Sequence, residues 1–109
     1  MKTIATITEY PLTHAGVRQA LEALGRTPDE VAVTLLAGGH RGLPANAGLR
    51  PVSDYLAALY PRMKVSVGPR NASVGSRLDV ELPAPVAEFV ILFDDAADKY
   101  AHLNVEELP

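Results

Sequence analysis

None of the 109 residues is cysteine, which excludes a disulfide framework, a thiolate metal site and a cysteine nucleophile. A domain of this length buries a core without such cross-links, and the expected location is intracellular. Long apolar runs are also missing. The longest, residues 89–93, is far short of the roughly 20 residues of a bilayer crossing. The amino-terminal MKTIATITEYPL lacks the uninterrupted apolar segment of a signal peptide. Neither export nor membrane association is therefore predicted.

Catalytic motifs are equally scarce. The glycine-rich loop at residues 38–50 lacks the Gly-Lys-Ser/Thr ending of a phosphate-binding loop, and no Gly-x-Gly-x-x-Gly follows a strand. His14, His40 and His102 fall in three different elements without paired ligand spacing. No nucleophile and base are placed together by any motif. The sequence thus implies no enzyme activity, no cofactor and no metal.

What is present is an ordinary globular composition, 48% hydrophobic and 21% charged, well away from the signature of disorder. The net charge of −3 conceals an uneven layout. Residues 41–78 carry Arg41, Arg50, Arg62, Lys64, Arg70 and Arg77 against Asp54, a net +5. Residues 79–109 carry eight acids against Lys99, a net −7. Either the two blocks neutralise each other in the fold, or the basic one presents a patch to an anion.

Secondary structure follows from caps and periodicity. Residues 1–12 mix β-branched residues with helical spacing and stay undecided. A helix is expected over about 14–24, with Thr13 as cap, Val17, Ala20, Leu21 and Leu24 facing inward, and Gly25 as stop. Gly16 within it marks a close approach of backbone. Thr27-Pro28-Asp29-Glu30 combines a cap, a first-turn proline and the glutamate of a capping box, predicting a second helix over 28–37. Residues 31–37 are β-branched and apolar enough to compete as a buried strand. Pro51 opens a third helix that buries Val52, Tyr55, Leu56 and Leu59 and stops before Pro61.

Beyond Met63 the period changes to two. Val65, Val67, Ala72, Val74, Leu78, Val80 and Leu82 share one face, and Lys64, Ser66, Ser73, Asp79 and Glu81 the other. This predicts a three-stranded antiparallel meander with turns at 68–71 and 75–76. Pro85 opens a last helix to about residue 103, its inner stripe including Val86, Phe89, Val90, Phe93 and Tyr100. The expected fold is α+β: three amino-terminal helices, the meander, and a carboxy-terminal helix packed on it. If 31–37 is a strand, the fold becomes α/β with a βαβ unit. One domain spans 1–109, with 1–12 and 104–109 as its less tied ends.

Three surfaces attract attention. His40, Arg41, Asn46 and Arg50 in the long loop form an anion- or partner-binding candidate, because arginine forks onto phosphate or carboxylate and a helix follows. Arg62, Lys64, Arg70 and Arg77 on the hairpin offer nucleic-acid contacts, used with the third helix in the manner of a winged helix. Ile91 points opposite its helix's apolar stripe, into a polar face with Glu88, Asp95, Asp98 and His102. With Leu92 it is a candidate interface, toward a protein partner or a second copy. Asp98 and His102, four apart, are spaced for a surface ion pair.

The sequence also resembles a known group. The residues that carry the likeness are Gly25, Thr27, Asp29, Val31-Ala32, the Gly-His-Arg-Gly run at 39–42, Pro51-Val52, Tyr55-Leu56, Val65-Ser66-Val67-Gly68, and the run from Leu82 through Val86 to Phe89-Val90 and Phe93-Asp94. Over about residues 13–100 the chain resembles small proteins of actinobacteria and of their phages or integrated elements. The resemblance implies a shared fold and is silent on chemistry. Such relatives often carry cysteine at the position of Arg50, so no redox or metal role transfers to this chain. The expected function is a non-enzymatic protein-interaction module, with a nucleic-acid-binding regulator as the alternative.

Overall fold

The computed structural model describes residues 10–42, 48, 50–95, 100 and 103. The undecided segment at 1–12 lies mostly outside these, as do Asn46, Asp98 and His102. Four helices, α1 (His14–Glu22), α2 (Pro28–Ala37), α3 (Pro51–Leu59) and α4 (Ala84–Asp95), accompany three strands, β1 (Val65–Val67), β2 (Asn71–Val74) and β3 (Leu78–Glu81). The fold is α+β, with an antiparallel sheet in the order β1-β2-β3.

Each helix start has a local cause. Thr13 Oγ1 accepts from the Gly16 amide at 3.0 Å and Thr27 Oγ1 from the Glu30 amide at 3.1 Å, each satisfying a donor that the first turn leaves open. Glu30 reaches back past the cap itself and accepts from the Arg26 amide at 2.8 Å. This capping network settles 28–37 as helix despite its β-branched residues, so no βαβ unit forms. The glycine in α1 has a packing reason: a Cβ there would lie 2.0 Å from the Pro11 carbonyl oxygen. The close approach is made by the chain's own entry into the helix.

The meander pairs Val65 with Val74, Val67 with Ala72, Ala72 with Val80 and Val74 with Leu78. That register puts Val67, Ala72, Val74 and Val80 on one buried face, continued by Leu82, as the alternation required. Against this face α1 lies on β3 and α3 on β1, while α2 and α4 pack together. Residues of all four helices and all three strands share one hydrophobic cluster with Phe89 at full burial.

Two expectations need correction. Leu59 was expected inside and is 36% exposed. Tyr60 takes its place, because the chain leaves helical geometry there (φ −127°, ψ 67°) and turns the ring inward, its hydroxyl donating to the Tyr10 carbonyl at 3.0 Å. The last helix was expected to reach about 103, but Tyr100 lies in a turn and Leu103 in a 3-10 turn whose amide bonds Tyr100 O at 3.0 Å. Tyr100 is buried nonetheless, with its ring 5.0 Å from that of Phe89 and its hydroxyl 2.8 Å from Asp29. Packing on Phe89 holds it in the core.

Candidate functional site

The loop after α2 begins with a well-defined reversal. The amide of Gly39 bonds Leu36 O at 3.0 Å and that of His40 bonds Leu35 O at 2.9 Å, with Gly39 at φ 77°. This is the double bond pattern that closes a helix on a left-handed glycine, and it aims His40 back toward α3. His40 Nδ1 lies 2.8 Å from Asp54 Oδ2, and the imidazole meets Tyr55 edge-on at 5.6 Å between centroids. Tyr55 in turn donates to Ala20 O at 2.7 Å, linking α3 to α1. Burial pushes its hydroxyl up to about 12, with Tyr10 and Tyr60 adding to the effect.

Arg50 was expected to face an anion from the loop, and here the structure departs from that reading. The residue is 7% exposed. Its Nε and Nη2 hold Asp94 at 3.2 and 2.5 Å, and its Nη1 donates to the Val67 carbonyl. The chain's own carboxylate and strand end therefore occupy the guanidinium. Of the four loop residues, His40 is turned onto α3, Arg50 is inside, Arg41 is exposed, and Asn46 lies outside the described residues. The three described residues do not converge as one anion cradle.

The basic hairpin also divides. Gly75 N bonds Lys64 O at 2.8 Å, placing Lys64 beside the turn that carries Arg77, with Arg62 just ahead of it. Arg70 sits in the other turn, at the opposite end of the strands, where its carbonyl accepts from the Leu82 amide at 2.8 Å. All four are exposed, and none makes an ion pair among the described residues. Of the basic block, Arg50 alone forms an ion pair with the acidic block among the described residues. The exposed positions of α3, Asp54, Ala57, Ala58 and Leu59, include no cation.

On α4, Ile91 is 46% exposed between exposed Glu88 and Asp95, one turn to either side on the same face. Leu92 beside it is half-buried and packs partly against the core cluster. Asp98 lies outside the described residues. No helix among the described residues is long and apolar enough to cross a membrane.

Sequence reasoning missed two partnerships, Arg50 with Asp94 and Arg18 with the end of β3. Only the first left any trace in the sequence, as opposite charges in two blocks; nothing in the sequence joins Arg18 to a strand 63 residues away. Comparison with family models, with curated proteins and with solved structures finds no match.

Proposed function

We propose that this chain is a small intracellular, non-enzymatic protein-interaction module that docks through the outer face of α4. The observation that carries the reading is Ile91, 46% exposed with Glu88 and Asp95 flanking it. An apolar anchor ringed by carboxylates fits a partner pocket with an apolar floor and a basic rim, where charge guides approach and the side chain fills the hole. A second copy of this chain is the poorer occupant. In a two-fold dimer centred on Ile91 the same acids would meet one another.

Ile91→Glu tests this. The reading expects the wild-type chain to be monomeric by light scattering, to capture a basic-surfaced protein from lysate, and to lose that capture on substitution with its unfolding midpoint unchanged. Capture that survives Ile91→Glu removes the α4 face from the function. The nucleic-acid alternative draws on Arg62, Lys64 and Arg77 at one end of the sheet, but the exposed side of α3 carries Asp54 and no cation to enter a groove. A salt-dependent shift with duplex DNA that Arg62→Ala and Lys64→Ala abolish would reinstate it.

A further inference from the structure

An open cleft of about 750 Å3 lies where α1, the turn before β2, the end of β3 and the start of α4 meet. Its two cations, Arg18 and Arg70, come from distant parts of the chain and are anchored at adjacent residues of the sheet. Arg18 Nη1 donates to the Glu81 carbonyl at 3.3 Å, and the Leu82 amide donates to the Arg70 carbonyl at 2.8 Å. Arg18 is further held by its Nε on Glu22 at 3.3 Å, which leaves the remaining donors of its guanidinium open. Arg70 is exposed and makes no ion pair among the described residues. Leu82, Ala84 and Ala87 supply apolar wall, and the two alanines leave the space that larger side chains would fill.

Among the described residues Glu81 is the one carboxylate lining the cleft, and Glu22 holds Arg18 from its side, so Arg70 is the cation there without an ion-pair partner. That arrangement suits one anionic head and disfavours a polyanion. The size suits a small molecule. We propose that this cleft binds a small amphiphile with a single oxyanion head, a carboxylate or a phosphate monoester, and a short apolar tail. The head lies on the guanidinium groups of Arg70 and Arg18, where forked donors match planar or tetrahedral oxyanions. The tail lies against Leu82, Ala84 and Ala87. This goes beyond the interaction reading and depends on none of its residues.

The test is an amide-resolved NMR titration of the full chain with hexanoate, hexyl phosphate and hexanol. Saturable shifts at the amides of Asn71, Leu82, Ala84 and Ala87 are expected with at least one of the anions and not with hexanol. Which anion saturates identifies the head. Arg70→Gln, a substitution at an exposed turn, should weaken binding about tenfold, the loss of one charge-assisted contact. The proposal is overturned if neither anion saturates, if hexanol shifts the same amides equally, or if Arg70→Gln leaves the affinity unchanged. Shifts centred on Arg62, Lys64 and Arg77 would overturn it too, since they mark general charge attraction.

Discussion

The two edges of the sheet end in the same chemical contact, in opposite surroundings. At β1 the last carbonyl, Val67 O, accepts from Arg50, which also holds Asp94. At β3 the last carbonyl, Glu81 O, accepts from Arg18, which also holds Glu22. Each arginine thus satisfies a strand-end acceptor that no neighbouring strand among the described residues reaches. The Arg50 side chain is 9% exposed, whereas that of Arg18 is 37% exposed. Water can replace every bond that Arg18 makes. It cannot do so for Arg50, where the charge is already desolvated and, among the described residues, Asp94 and Val67 answer it. Burial, not bond count, decides how much each arginine matters to the fold, and which of them stays available to a ligand.

The sharpest way to break this contrast is Asp94→Ala. It leaves a guanidinium inside without its counter-charge, and should cost about 3–5 kcal/mol in urea unfolding near neutral pH. Arg50→Met combined with Asp94→Leu removes both charges together and should recover most of that loss, because the pair's own desolvation cost disappears with it. If Asp94→Ala costs no more than a surface pair, the guanidinium is finding water, and the distinction between the two edges fails.

The fate of these arginines marks where the sequence stops being legible. Caps and periodicity are local, so Thr13, Thr27 and Pro51 announce their helices and the alternation from Val65 to Leu82 announces the meander. Helix ends were less readable, because tertiary packing turns Tyr60 inward and leaves Leu59 outside. The loop site was misread for a related reason. Arg50 precedes a helix N-terminus and follows a glycine-rich segment, both cues for an anion site. Its partner, however, lies 44 residues on, and a charge tally cannot say which carboxylate answers which cation. The same limit hid Arg18 from the cleft and grouped Arg70 with cations at the far end of the sheet. Ile91, read from helical phase alone, does emerge on the surface.

A smaller effect extends the contrast to hydroxyls. Burial pushes Tyr100 up to about 12, helped by its bond to Asp29, and Tyr55 is raised to about 12 as well. In the unfolded chain both ionise near 10.0. Between those values the unfolded state binds fewer protons than the native one, so stability falls as pH rises from about 10 to about 12 and is unaffected by these groups below that window. Urea midpoints across the range, read beside tyrosinate absorbance, check the sign. Tyr55→Phe should flatten part of the decline. A midpoint that holds steady while the tyrosines ionise would mean that they are open to solvent in the native state.

The least effect belongs to the exposed edge. Arg18→Ala removes a surface ion pair with Glu22 and one hydrogen bond to a strand end that water can serve, and should cost no more than about 1 kcal/mol. Glu22→Ala should cost as little, and high salt should erase the coupling between the two in a double-mutant cycle. Asp94 gives the opposite expectation, since a shielded pair is screened far less by salt. A large loss at Arg18 would mean that the α1–β3 contact depends on that guanidinium, and the cleft beside it would then be a structural seam. A small loss leaves Arg18 free to be judged by ligand binding alone, because a variant that folds normally and binds hexyl phosphate or hexanoate poorly has lost a contact to the ligand and not a part of the frame.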